Sequence, residues 1–208
     1  MSTSKGVFIS FEGIDGCGKS TQINMLYSYL KDKKKEFLIL REPGGTYISE
    51  EIRKILLHNH DHEISDRTEA LLMTGSRAQL TDEKILPFLN QGKIVIADRF
   101  LDSTLAYQGG GRKLDLSWLI DLNNFATDNT FPDVTFFIDI EPEIGAERSG
   151  ESKDRIESAG LEFQSRVRKC YIKLSRLFNQ RYITLDGNQD KKLIHKKIVS
   201  HLLEKDLL

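Results

Sequence analysis

Short runs of apolar, β-branched or aromatic residues punctuate the chain at Val7 to Phe11, Phe37 to Leu40, Ile94 to Ala97, Val134 to Ile140 and Tyr182 to Leu185. Each reads as a buried strand. Between them lie longer stretches with helical spacing, as in Ile23, Leu26 and Leu30 at i, i+3 and i+7 after Lys19. Further helices are predicted over Tyr47 to Leu57, Thr68 to Leu89 with Pro87 near its end, Leu116 to Ala126, Leu161 to Phe178 and Lys191 to Leu203, and a short one opens at Pro142. Strand and helix alternate, which predicts an α/β fold with a parallel sheet and helices on both faces. Ligands then belong at the carboxyl ends of the strands.

At 208 residues the chain is expected to form one domain, 1–208, able to bury about 70% of its unfolded surface. The formal net charge of −1 gives no reason to expect nucleic acid or a membrane as partner, so any anion site is local. The run Lys31-Asp32-Lys33-Lys34-Lys35 reads as a solvated helix end whose cations complement the helix dipole. Cys17 and Cys170 lack a metal spacing or a disulfide framework, which fits a reducing compartment. No stretch approaches the roughly 18 apolar residues of a membrane span, and Met1 to Gly6 carries no cleavage signal, so a cytoplasmic protein is expected.

The chemistry gathers where the predicted strands end. After the first comes Gly13-Ile14-Asp15-Gly16-Cys17-Gly18-Lys19-Ser20-Thr21. Its glycines allow backbone N–H groups to wrap a polyphosphate, Lys19 is suited to the β and γ oxygens, and the Ser20 hydroxyl to an accompanying Mg²⁺. Asp15 is a misfit in an anion-binding loop. It implies a metal-bound water or a hydroxyl-bearing second substrate over the same loop. Arg41-Glu42-Pro43-Gly44-Gly45 follows the second strand, and Asp98-Arg99 closes the third with an acid suited to a metal and a guanidinium suited to phosphate. Arg77 and Gln79 lie two residues apart on one predicted helix, about 200° around it, so only one of them can face a ligand; the pattern leaves Arg77 open between surface and base-reading roles. Gly109-Gly110-Gly111 reads as a flexible turn, and the polar stretch Glu147 to Arg155 as a mobile loop or lid bringing up Arg148, Lys153 and Arg155.

Taken together, residues 11–21, Arg41-Glu42-Pro43-Gly44-Gly45-Thr46, Ser76-Arg77-Ala78-Gln79, Asp98-Arg99, Ala106-Tyr107-Gln108-Gly109-Gly110-Gly111-Arg112 and Asp154-Arg155-Ile156-Glu157 resemble bacterial thymidylate kinases, in family order and over nearly the whole chain. The resemblance implies a P-loop NTPase three-layer α/β/α fold with a five-stranded parallel sheet and a short lid near 148–157. It implies Mg²⁺-assisted phosphorylation of dTMP by ATP, in a homodimer. It gives Asp15 the acceptor sugar hydroxyl or a Mg²⁺ water, Arg99 the dTMP phosphate with help from Arg41 or Arg53, Arg77 the thymine O4, and Thr104 the ring N3 edge beside Ser103. Tyr107 packs where a ribose 2′-hydroxyl would lie, with Gln108 near sugar and phosphate and Pro43 in the substrate-side turn. Lys19, Asp15, Arg99, Arg148 and Arg155 are the implied catalytic groups, and Ser20, Asp15 and Asp98 the metal-associated ones. Met73 stands where the family has a phenylalanine on thymine; its thioether can lie against the ring instead. Asn188-Gln189-Asp190-Lys191 lacks the N-K-x-D pattern of a regulatory GTPase.

Overall fold

The structure is a computed structural model that describes residues 6–58, 63–150, 155–156 and 159–208. Its strands β1 (Val7–Glu12), β2 (Phe37–Arg41), β3 (Ile94–Asp98), β4 (Val134–Asp139) and β5 (Tyr182–Asp186) form one parallel sheet in the order β2-β3-β1-β4-β5. Helices α1 (Lys19–Asp32), α2 (Tyr47–Leu57), α3 (Asp66–Leu80), α4 (Leu86–Asn90), α5 (Leu101–Thr104), α6 (Leu116–Ala126), α7 (Pro142–Ser149), α8 (Leu161–Leu177) and α9 (Lys191–Glu204) complete the alternation. Strands covered on both faces have no room for alternation, and β1 and β4 are buried almost throughout. Phe8, Phe11, Phe136 and Phe137 fill the centre of the core.

The register sets up the site. Arg41 pairs with Asp98, and Asp98 with Phe11, so β2, β3 and β1 release their chains at one level. The order of the sheet then puts the loops after β2 and β3 on one side of the β1 loop and those after β4 and β5 on the other.

Two expectations are corrected. The helix read as continuous from Thr68 to Leu89 contains a π-helical turn, Thr81–Ile85, in which the Leu86 N–H reaches the Thr81 carbonyl five residues back. The wider turn takes up both the missing N–H of Pro87 and the clash of its ring with the preceding turn. The glycines at 109–111 are not a flexible turn: they lie in a second π-helical segment, Leu105–Gly111, packed against α8. A Cβ on Gly110 would stand 2.4 Å from the Cys170 Cβ, and one on Gly111 2.5 Å from the Phe163 ring. Absence of a side chain here serves close packing, not mobility.

The lid expected near 148–157 falls partly on 151–154 and 157–158. Lys153, Asp154 and Glu157 therefore lie outside the described residues. Among those described, no helix is long and apolar enough to cross a membrane.

Candidate active site

The loop between β1 and α1 turns under the amino end of α1, where the first N–H groups of a helix are unpaired and the dipole favours an anion. Gly16 has φ +76°, and a Cβ there would meet the Gly145 carbonyl oxygen at 2.3 Å, so α7 packs against bare backbone. Lys19 folds back under the loop, its Nζ donating to the carbonyls of Gly13 at 3.0 Å and Ile14 at 3.2 Å.

Asp15 meets Arg99. The guanidinium Nη2 donates to Oδ1 at 2.5 Å, and the Tyr107 hydroxyl donates to Oδ2 at 3.1 Å. Burial alone would raise the Asp15 carboxyl, but the charges of Arg99 and Lys19 and these hydrogen bonds outweigh it and hold the acid below its usual range. Arg99 also donates through Nη1 to the Gly13 carbonyl at 3.0 Å and the Ser103 hydroxyl at 3.3 Å, and its guanidinium lies 4.9 Å from the Tyr107 ring centre. Burial pushes the Tyr107 hydroxyl well above its ordinary value, so it stays a donor. Across the loop, the Ser20 hydroxyl donates to Asp98 at 3.3 Å.

Arg77 is buried, with 2% of its surface exposed, and all five of its donors are taken. Nε and Nη2 donate to Glu42 Oε2, Nη1 to Thr104 at 2.7 Å and Asn123 at 2.6 Å, and Nη2 also to the Phe100 carbonyl at 3.1 Å. Gln79 points away to Glu83 on the exposed side, as the helical spacing requires. Met73 and Thr104 line the cleft beside Arg77. On its rim Arg41 pairs with Glu50 at 3.1 Å, and Arg53 donates to the Pro43 carbonyl at 2.8 Å.

Gln108 and Arg155 meet instead at Glu69 on α3, a wholly buried acid that accepts from Gln108 at 3.0 Å, Arg112 at 3.1 Å and Arg155 at 2.5 Å. Burial would raise this carboxyl, yet its donors and the Arg112 charge hold it down. Arg155 thus faces α3, not the phosphate loop. Arg148 turns the other way and donates to the Gly187 carbonyl at 3.0 Å.

A cleft of about 900 Å³ joins the groups around Asp15, Arg77 and Arg148, from Thr104 and Met73 past Lys19 to Gln189 and Ile194, with Glu69 and Arg155 outside its lining. Among the described residues no three His, Cys, Asp or Glu side chains cluster to cage a metal. Two hard oxygen donors beside a phosphate loop, Ser20 and Asp98, fit a Mg²⁺ that keeps most of its coordination for water and phosphate.

Sequence reasoning missed Glu12, Glu69 and the turn after β5, Gly187 to Lys191, which lines the cleft on its far side. The last was findable, because it follows a strand's carboxyl end like the motifs that were noticed. The two acids lie inside ordinary patterns and became visible only through their partners.

A family model described as thymidylate kinase matches residues 11–198. A thymidylate kinase of Fervidobacterium nodosum is 47% identical over 194 residues, covering 93% of this chain and 96% of its own. One from Thermosipho africanus is 48% identical over 202 residues, covering 97% and 99%. The crystal structure of a thymidylate kinase from Ehrlichia chaffeensis superposes with a TM-score of 0.81 at 32% identity, over 95% of this chain and 99% of that one.

Proposed function

The chain belongs to the thymidylate kinase family and transfers a phosphoryl group from ATP to dTMP, giving dTDP and ADP; from that premise we propose how its residues divide the work. The donor triphosphate lies along the loop from Gly13 to Thr21, with its nucleoside toward Arg148 and the turn after β5. The acceptor lies on the other side, its phosphate against Arg99 and its base toward Met73, Arg77 and Thr104. The observation that carries this division is the Asp15–Arg99 pair, which sits over the phosphate loop between the two halves of the cleft.

A nucleoside monophosphate already presents an oxygen nucleophile, so no residue is assigned as a base; alignment and charge neutralisation are the task. Lys19 places its ammonium against the bridging and terminal oxygens of the donor. Arg99 grips the acceptor phosphate while Asp15 takes the sugar hydroxyl or a metal-bound water, and Tyr107 crowds the 2′ position. Ser20 and Asp98, with Asp15 through water, are the proposed Mg²⁺ ligands, and the ion would neutralise charge on the transferred group. Arg41, Arg53, Pro43, Ser103 and Gln108 are proposed to shape the acceptor side. Arg77 reads a base only by exchanging one of its five hydrogen bonds to the protein. Arg155 reaches the phosphates only by leaving Glu69, whereas Arg148 already lines the cleft.

A coupled ADP-release assay tests this reading with dTMP, 3′-deoxy-dTMP, dUMP, dCMP, AMP and thymidine, with Mg²⁺ and with chelator. Release with dTMP and Mg²⁺ is expected, with a loss of about tenfold or more for the 3′-deoxy analogue. Equal rates for the two would free Asp15 from the sugar. Run on an Arg148→Ala chain, the same assay removes Arg148 from the account if kcat is unchanged.

A homodimer is proposed from exposed apolar side chains on the packed helices α3 and α6: Leu71, Trp118 and, at 86% exposed, Phe125. Sedimentation equilibrium is expected to give twice the 23.8 kDa of the chain, and a monomer at micromolar concentration would refute it. One contiguous core supports a single domain, and two buried free thiols suit a reducing cytoplasm.

A further inference from the structure

Glu12 ends β1 wholly buried, one residue before the phosphate loop, and no role above uses it. Its Oε1 accepts the Phe100 backbone N–H at 2.7 Å, and its Oε2 accepts the hydroxyls of Ser103 and Tyr171, each at 2.7 Å. These partners frame Arg99. That residue has φ +71°, a left-handed conformation that side chains other than glycine seldom take. Its own N–H donates to the Phe11 carbonyl at 3.0 Å and the following N–H to Glu12, so the last two residues of β1 hold both amides around the left-handed position. At the other end of the side chain, Arg99 Nη1 donates to the Ser103 hydroxyl, which itself donates to Glu12. Glu12 therefore reaches Arg99 twice, through the backbone and through the guanidinium, each time by way of one neighbour.

We propose that Glu12 is a positioning residue for Arg99: its carboxylate holds the turn at 98–100 in its left-handed form and, through Ser103, fixes the angle at which the guanidinium meets the acceptor phosphate. This rests on the reading of Arg99 as the phosphate grip. Three donors converge on Glu12, and the two oxygens of its carboxylate accept from all of them as they stand. An amide at this place either turns its NH₂ group onto the Phe100 N–H or, with its oxygen kept there, makes the Ser103 and Tyr171 hydroxyls accept, which reverses the hydrogen bond by which Ser103 is held under the Arg99 guanidinium. Burial and the Asp102 charge push the Glu12 carboxyl up to about 7, against the Ser103 and Tyr171 hydroxyls and the Arg99 charge. Packing alone would be served at less cost by a neutral side chain.

A double-mutant cycle with Arg99→Ala decides it. Glu12→Gln is expected to lower kcat/KM for dTMP about thirtyfold, in line with the cost of misplacing a catalytic group, with the KM for ATP within about twofold. In the Arg99→Ala background the same substitution should change it by less than about twofold, because there is nothing left to position. Equal losses in both backgrounds overturn the proposal. Should the Gln chain fail to fold by circular dichroism, Glu12→Asp, which keeps the charge but not the reach, takes its place: about a fivefold loss with Arg99 present and none without is expected, and additive losses overturn it. An Arg99→Ala chain as active as the parent would sink the phosphate-grip reading, and this proposal with it; that result is read before residue 12 is touched.

Discussion

A Lys19→Met enzyme is expected to keep its fold and lose kcat by about a thousandfold. Lys19 lies beneath the phosphate loop with 7% of its surface exposed, and its ammonium is held at 3.0 to 3.2 Å from two loop carbonyls, Gly13 and Ile14. With the Cys17 sulfur at 3.7 Å these contacts take all three donors of the ammonium, so it meets the phosphates by exchanging loop carbonyls for phosphate oxygens a short distance away. Methionine fills much of the same volume without the charge. The helix that follows begins at this residue without a side-chain cap, so removing the ammonium takes no capping interaction from α1. Steady-state ADP release gives kcat, and thermal unfolding shows whether the fold survives. A kcat within tenfold of the parent would mean that the loop backbone and Mg²⁺ neutralise the phosphates without this residue.

Replacing Arg77 by methionine is expected to cost about 3–5 kcal/mol of stability, the penalty for removing one partner of a buried ion pair. The loss is broader than one pair. Glu42 keeps one carboxylate oxygen with no partner in the parent and would then have two, while Thr104, Asn123 and the Phe100 carbonyl each lose a donor. Because these partners come from the turn after β2, from α5 and from α6, one guanidinium ties together the elements proposed to hold the acceptor. Adding Glu42→Met to Arg77→Met should restore the part of the loss due to the unpaired carboxylate, since an apolar pair leaves no buried charge uncompensated, while the cost at Thr104, Asn123 and the Phe100 carbonyl stays. Urea unfolding measures both. If the single variant unfolds at the parent's midpoint and only its dTMP affinity falls, Arg77 is a base reader and not a structural tie.

Much of this architecture was legible from residue order alone. Apolar runs separated by helical spacing identify a doubly covered parallel sheet, and that topology sends every strand-end motif to one edge. Lys19, Ser20, Asp98 and Arg99 meet in the structure because of it. What escaped was the partner of each charge. Arg77 reads equally well as a surface or a site residue until Glu42, Thr104 and Asn123, 27 to 46 positions away along the chain, close around it. Glu12 resembles the end of any strand, and Glu69 any helix acid, until three donors converge on each. The glycines at 109–111 were misread because a glycine run marks either freedom or close contact, and only the position of α8 distinguishes them. The π-helical turn at 81–85 was hidden in the same way, since helical periodicity survives one widened turn.

The sheet order has a consequence for how such an enzyme changes over generations. On the proposed assignment, groups facing the acceptor lie between Arg41 and Gln108, and those facing the donor nucleoside between Arg148 and Ile194, with β1 and its loop as the shared hinge of the two vocabularies. Recombination at a single crossover between β3 and β4 would divide these two sets, and would also have to re-match the contacts that span the cut, Arg155 with Glu69 and Tyr171 with Glu12 and Ser103. On that assignment, preference for the accepted base and preference for the donated one would be inherited apart only where those contacts were inherited together.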